Sequence, residues 1–560
     1  MKITVSELLV RFMERLGIDH IFGMPGAHIL PVYDGLYDSS IKCILAKHEQ
    51  GASFMAGGYV RASGKISACI TTAGPGATNL VTGIANAYVD KQPILVITGE
   101  TPTHIFGKGG LQESSGEGGS LDQNALFDSI TKYSKLIERT DYLANVLVRA
   151  AKILLSDSSG PVLLSFPFNI QSELVDDAIL DQINHKKYHH HYYHDINASN
   201  ELVKLIATAH APVIVAGNGC IVSNAQAQVS QLSQIMSIPV TSSLKGKGVI
   251  SEYSELSLGS LGVTSYGGAY DYIVEQADVI IFLGASFNER TSYVWNDTLV
   301  KDKKLVQIDN NIEQLEKVFK ADIAILGDIA AVLNNVNQQL QKQLEQGQIQ
   351  RKDCLDTLME YRAYSLENPD RNVTDLRDRF PLVEYFFSEL QTHLTKNIMV
   401  FDDNIIFAQN FFNVSAENRY YPNSGVSSLG HAIPAAIGAR MAENKPVFAI
   451  IGDGGFQMCC MEIMTAVNYQ LPMTIVLFNN STMGLIRKNQ FQQYDERYIN
   501  CDFINPDYEL LSRSFGMNYY KISTQSDLDG LLPSLDYYEG INLIEIMIDK
   551  NVFPGYTSKR

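Results

Sequence analysis

The sequence predicts an α/β protein built as three α/β domains with mostly parallel sheets. Two observations lead there. Short apolar runs of strand length alternate with helical periods along the chain, which is the pattern of βαβ units. Two polar stretches, 181–200 and 337–370, separate three such parts within 560 residues, a length suited to about three or four domains.

The elements follow in order. In the first part, 1–175, the runs 41–45, 66–71, 94–98 and 162–166 read as strands, with helical periods such as 5–16 and 77–87 between them. The second part, 195–340, repeats the scheme at 212–216, 278–283 and 305–308. The third, 375–555, does so at 398–401, 447–451, 474–478 and 542–546. The first separator carries His189-His190-His191 and His194. That cluster reads either as a metal ligand set or as a solvated connector, and the lack of nearby carboxylates favours the connector.

Composition narrows the partners. Lys+Arg of 44 against Asp+Glu of 61 gives a net charge of -17, which argues against nucleic acid or an anionic membrane as the main partner. No apolar run approaches the ~18 residues of a membrane span. The start, Met1-Lys2-Ile3-Thr4-Val5-Ser6-Glu7, lacks the apolar core of an export signal, so a cytoplasmic protein is expected. Seven scattered cysteines make no disulfide framework and read as buried thiols.

The strongest local signal is Gly452-Asp453-Gly454-Gly455, followed after a helix-like segment and a strand by Asn479-Asn480. Glycines at the end of strand 447–451 let backbone N–H groups approach an anion closely. Asp453 offers a hard oxygen there, and strand 474–478 presents Asn480 beside it. One carboxylate, one amide oxygen, a backbone carbonyl (Thr482 is well placed), water and phosphate oxygens suit octahedral Mg²⁺. Either turn alone is common. Their coupling is specific.

This pairing resembles the thiamine-diphosphate motif, and over nearly its whole length the chain is similar to thiamine-diphosphate enzymes of the acetolactate synthase large-subunit type. The likeness also rests on Phe22-Gly23-Met24-Pro25-Gly26, His48-Glu49-Gln50-Gly51-Ala52, Gly74-Pro75-Gly76-Ala77-Thr78-Asn79-Leu80, Gly160-Pro161-Val162 and Pro434-Ala435-Ala436-Ile437-Gly438-Ala439. It implies a pyrimidine-binding domain, a middle domain and a diphosphate-binding domain in that order. It also implies an electron-sink cofactor whose geometry and electrostatics the fold supplies. Glu49 stands where the family's glutamate hydrogen-bonds the aminopyrimidine ring, a role that requires an apolar pocket to keep it protonated. Leu429 stands where a bulky side chain bends the cofactor, and Gly454 and Gly455 where the diphosphate is cradled. Thr72, Pro75, Asn79, Asn404, Ser428 and Met483 fall around the cofactor by the same likeness. Because Glu49 and the metal residues lie in opposite thirds, the resemblance implies a homodimer or tetramer with sites at the dimer interface.

Four departures from acetolactate synthases lie on the substrate side. Pro25-Gly26-Ala27-His28 replaces Pro-Gly-Gly-Ala and is similar to the Gly-Ala-His turn of benzaldehyde lyase. His28 is therefore a candidate proton shuttle. The family's Gly-Gln-His-Gln-Met segment is replaced around Asp402-Asp403-Asn404. Asn489 stands where the family has a tryptophan. The Gly/Ser-rich 107–122 carries an insertion, within which Gln112 remains a candidate substrate contact. The middle part resembles a flavin-binding domain through 284–290 and Asp309, which would face a ribose. Ser286 replaces an arginine there, so FAD stays open.

The expected function is Mg²⁺- and thiamine-diphosphate-dependent decarboxylation of a 2-oxo acid, pyruvate first, with transfer of the acyl group to a second carbonyl of a 2-oxo acid or aldehyde. The alternatives are a lyase or hydrolase on hydroxyketones or diketones, a catalytically silent partner, and a flavin-dependent oxidase.

Overall fold

The computed structural model describes residues 1–186, 195–265, 268–364, 376–394, 396–423 and 425–555, so the histidine cluster at 189–194 lies outside the described residues. Three parallel sheets of six strands form, one from each part of the chain. The first runs, edge to edge, Lys42–Leu45, His20–Gly23, Ser67–Thr71, Ile94–Glu100, Val162–Pro167 and Tyr133–Leu136. The second runs Ser257–Ser260, Val240–Ser242, Pro212–Ala216, Val279–Leu283, Lys304–Asp309 and Ile323–Leu326. The third runs Arg419–Pro422, Met399–Asp402, Val447–Gly452, Met473–Asn479, Ile541–Met547 and Asn518–Ile522. One antiparallel pair, Lys2–Thr4 with Leu174–Asp176, ties the start of the first part to its end. Among the described residues no helix is long and apolar enough to cross a membrane.

The polar stretch 337–370 is not a plain separator. Its first residues finish the helix Ile329–Glu345, whose Val332, Leu333, Val336 and Leu340 are buried in the middle-sheet core. The helix Leu355–Tyr364 packs Leu358 and Tyr361 on the other face of that sheet. Glutamines on the outer face of an amphipathic helix look like linker in a composition count. The helical period 77–87 is likewise split into Pro75–Thr78 and Val81–Val89. Of the cysteines, Cys43 is exposed and Cys460 only part-buried; the other five are buried as expected.

The first and third domains meet through two helices, Glu49–Ser63 and Ala432–Ala442. Small residues bring the backbones together. A Cβ on Gly58 would fall 1.9 Å from the carbonyl oxygen of Ala435, and one on Gly438 would fall 1.9 Å from that of Met55. One apolar cluster continues from Phe22 and Met55 through Ala435 and Ala439 to Ala449 and Leu477, joining the two sheets across this contact. Phe54 and His431 meet edge to face at 5.1 Å within it, and burial pushes the His431 imidazole down to about 3, so it stays neutral.

This contact can be tested against an open glycine. Gly438→Ala is expected to cost more than about 2 kcal/mol, because the clash is with backbone inside a packed interface. Gly17→Ala, at φ 74 with nothing within 4 Å, should cost only about 1 kcal/mol through its left-handed backbone. Denaturant melts of the two variants decide it. Equal losses would remove the helix contact as the special constraint.

Candidate active site

In parallel sheets, ligands bind beyond the carboxyl ends of the strands, where neighbouring strands send their connections opposite ways. The first sheet has this point between His20–Gly23 and Ser67–Thr71. The loops leaving these strands carry His28 and Thr72. Thr72 Oγ1 lies 3.5 Å from His28 Nδ1 and donates to Gln112 Oε1 at 3.2 Å. Three residues picked from distant places in the sequence thus form one polar cluster. Their approach needs glycine: a Cβ on Gly26 would fall 2.6 Å from Thr72 Cβ, and one on Gly99 would fall 2.3 Å from the His28 carbonyl oxygen. Burial lowers the His28 imidazole below its ordinary value, with Gln112 opposing the shift.

Gln112 sits in a loop organised by a single carboxylate. Glu113 accepts from the N–H groups of Gly109 and Gly110 at 3.0 and 2.9 Å, from that of Gly107, and from Ser115 Oγ at 2.9 Å. The N–H groups of Gly107 and Gly110 hold this carboxyl below its usual range. The loop 107–122 therefore has a defined shape, with Gln112 itself at φ 58.

Glu49 is the first residue of its helix, after the N-cap His48. Its Oε2 accepts from Asn79 Nδ2 at 2.9 Å, and the Pro75–Thr78 turn that ends at Asn79 starts from Gly74 at φ 62. Glu49 is half-buried. A single chain therefore leaves Glu49 partly open to solvent, short of the enclosure that its expected role requires.

The third sheet has its corresponding point between Met399–Asp402 and Val447–Gly452. Asp453 begins the helix Asp453–Cys459 and is buried. Its Oδ2 accepts from Ser481 N at 2.6 Å, Asn480 N at 3.2 Å and Asn505 Nδ2 at 2.8 Å, while Oδ1 accepts from Gly454 N at 3.0 Å. Burial pushes its carboxyl up; Asn505 and the N–H groups pull it back. Asn480 Oδ1 accepts from Thr482 N at 3.2 Å on the same turn, and Thr482 Oγ1 donates to the Cys501 carbonyl at 2.9 Å. Met483 lies over Gly454, where a Cβ would fall 2.7 Å from its Sδ. Among the described residues no group of three or more His, Cys, Asp or Glu side chains gathers to hold a metal. One carboxylate with amide and carbonyl oxygens is a donor set for a hard cation that keeps phosphate or water ligands. The residues fit Mg²⁺ on a diphosphate.

Asp403 builds the floor of this site. Its carboxylate accepts from Gly430 N at 2.7 Å and His431 N at 3.0 Å, at the start of Ala432–Ala442, and a Cβ on Gly455 would strike it at 2.4 Å. The Ser428-Leu429-Gly430 turn is thereby fixed against the Asp453 helix, with Leu429 half-buried. Asn404, at φ 71, accepts from Arg290 Nη1 at 3.3 Å. In the middle domain the loops leaving Pro212–Ala216 and Val279–Leu283 approach closely, and a Cβ on Gly217 would fall 2.1 Å from the Gly284 carbonyl oxygen. Asp309 turns its carboxylate onto Asn311 N at 2.9 Å.

Two contributors had no clear signal. Asn505 reads as a plain Asn-Pro turn, yet its amide joins Asp453, Asn479 and, through Oδ1, Gln457 and Tyr508. Asp403 stood in the segment noted only for its difference from relatives.

With this geometry the comparisons have a definite meaning. Residues 3–125 match the thiamine pyrophosphate enzyme N-terminal TPP binding domain, 199–336 the central domain, and 404–546 the C-terminal TPP binding domain. A probable acetolactate synthase large subunit of Methanocaldococcus jannaschii is 32% identical, over 97% of this chain and 92% of its own length. The chain belongs to the thiamine-diphosphate enzymes of the acetolactate synthase type. The large subunit from Lactococcus lactis is 31% identical over 98% of this chain and 92% of its own. The isozyme 2 large subunit of Escherichia coli is 30% identical over 98% and 96%. For an enzyme of this family, the edges of the first and third sheets are where thiamine diphosphate is sought.

The two adjacent buried acids make a pH prediction. Burial pushes Asp402 up to about 7, with Tyr420 opposing, and Asp403 up to about 6. Ordinary carboxyls titrate near 4, so between these values the folded chain holds more protons than the unfolded one. Stability from these groups is therefore lost as pH rises from about 4 through about 7. Asp402→Asn is expected to flatten the fall in melting temperature between about pH 5 and about pH 8; parallel curves would show that the pair titrates normally.

Proposed function

We propose that this enzyme uses Mg²⁺ with thiamine diphosphate to decarboxylate a 2-oxo acid, pyruvate first, and to transfer the acyl group to a second carbonyl compound. The observation that carries the reading is the buried Asp453 beside Asn480 and the Gly454-Gly455 backbone, in a chain that also presents Glu49 on Asn79. Thiamine diphosphate, once bound, supplies an electron sink for cleaving the bond to the carboxylate and for carrying the acyl group.

The chain's own residues do the rest. Asp453, Asn480 and the Thr482 carbonyl hold the cation, and the N–H groups at the start of the Asp453 helix receive the diphosphate. Leu429, next to the Gly430 and His431 N–H groups that Asp403 holds, would be an apolar support for the cofactor. Glu49 holds a proton against the pyrimidine nitrogen. His28, kept neutral by burial, accepts or returns a proton at the substrate carbonyl, and Gln112 orients that carbonyl through the shared Thr72 hydroxyl.

Glu49 and Asp453 of one chain serve different sites in this reading. Glu462, which touches the residues just before Glu49, lies beyond the whole helix Asp453–Cys459 and a further 3-10 turn from Asp453. A second copy supplies the missing half. Met458 and Met461, each 55% exposed on that stretch, give it an apolar surface to cover.

Pyruvate supplied alone and then with aldehydes or 2-oxo acids, with products read by mass spectrometry, tests the reaction. Carbon dioxide and a ligated hydroxyketone are expected; cleavage of a hydroxyketone without decarboxylation would replace this reading with a lyase. Glu49→Gln should lower turnover at saturating cofactor by ~100-fold or more, and unchanged turnover would end the assignment. Asn505→Ala should weaken Mg²⁺ by roughly 10–100-fold, read by metal titration of the cofactor's circular dichroism.

A further inference from the structure

The strand Lys42–Leu45 is the outer strand of the first sheet, and its exit carries Lys47 and His48 directly into Glu49. An outer strand leaves one row of backbone groups without sheet partners. Here three side chains of the third domain take up that row. Tyr469 Oη lies 2.8 Å from Leu45 N and 3.1 Å from the Cys43 carbonyl. Thr465 Oγ1 lies 3.4 Å from the Leu45 carbonyl and donates to Glu462 Oε2 at 2.8 Å. Glu462 accepts from Lys47 N at 3.0 and 3.1 Å and from His48 N at 2.9 Å. Positions 462, 465 and 469 fall on one face at helical spacing.

Glu462 carries the most. It is only 2% exposed, and a Cβ on Gly51 would fall 2.1 Å from its Oε1, so the carboxylate is wedged against the first turn of the Glu49 helix. Burial raises its carboxyl, while Thr465 and the two backbone N–H groups oppose the shift. A charged acceptor on two successive N–H groups fixes the path of the backbone before Glu49 more tightly than neutral bonds would. Glu462 ends the short 3-10 turn Cys460–Glu462, which follows the helix Asp453–Cys459 after a break at Cys459 (φ -136) and leads directly into the helix Ile463–Asn468. The stretch from Asp453 to Glu462 thus has the cation residue at one end and the approach to the acid at the other.

We propose that Glu462 is a positioning residue for Glu49, which it aims through the Lys47 and His48 backbone, and that the 453–462 run ties the cation residue of one site to the acid serving the other. This rests on the assignment of Glu49 made above. It assigns Glu462 no contact with substrate or cofactor.

The test uses the full-length chain and Glu462→Gln, which keeps the shape and removes the charge. Amide hydrogen exchange at Lys47 and His48, measured without cofactor, should rise by about tenfold. Thiamine diphosphate affinity with Mg²⁺ should stay within about threefold, while deuterium exchange at the bound cofactor's C2 should slow by about tenfold or more. Thr465→Val, which removes one donor to Glu462, should shift both exchange rates in the same directions by a smaller factor, and stands in if Glu462→Gln fails to fold. Unchanged C2 exchange would overturn the proposal, as would a loss of affinity matching the loss of C2 exchange. A Glu49→Gln control separates the two ideas. If that variant exchanges C2 at the unaltered rate, the role of Glu49 fails; if it is slow while Glu462→Gln is unaltered, only the positioning role fails.

Discussion

Everything at the two cofactor-facing edges depends on how closely the helices Glu49–Ser63 and Ala432–Ala442 approach. Gly58 and Gly438 allow backbone to meet backbone, and packed interiors transmit such a constraint with little give. The first helix begins at Glu49 and the second just after the Leu429-Gly430 turn. One contact therefore sets where Glu49 and Leu429 lie relative to each other's domain. Propensity alone would not choose glycine at mid-helix, which marks the approach as the reason for it.

The cost of this architecture is a set of buried acids. Asp402, Asp403, Asp453 and Glu462 all lose water on folding, and each is compensated by backbone N–H groups at a helix start or a turn. Such groups are oriented by secondary structure, and one side chain each, Tyr420, Asn423, Asn505 and Thr465, adds to them. Asp453 keeps one oxygen with only the N–H of its own neighbour Gly454 on it, and it stands at the glycine turn rather than behind it as Asp402 and Asp403 do. The other three act on the polypeptide itself.

Much of this was legible in the amino-acid order, for a physical reason. Pro212–Ala216, Val279–Leu283 and Val447–Gly452 lie inside their sheets and are covered on both faces, so they read as unbroken apolar runs. Tyr133–Leu136, Ser257–Ser260, Arg419–Pro422 and Asn518–Ile522 are outer strands with one side toward solvent; their mixed composition hid them. The site divided in the same way. Glu49, Asp453 and Asn480 stand in motifs whose glycines and turns are visible in one dimension. Asn505 and Glu462 act through contacts between distant segments, Glu462 on a neighbour more than 400 positions away, and no local pattern announces such a pairing. The glutamines of Ile329–Glu345 misled in the opposite sense, since solvent-facing polarity hid a buried stripe.

The self-closed loop around Glu113 bears on how such enzymes diversify. Its conformation comes largely from one carboxylate gripping its own glycines, while Ser114 N on Glu100 and Gln112 on Thr72 tie its base to the first sheet. Leu111 is 74% exposed next to Gln112, and it can be exchanged for a larger, smaller or charged group without disturbing the scaffold. The segment is a cassette: new chemistry at the mouth of the cleft can be tried there while the machinery beneath is inherited intact.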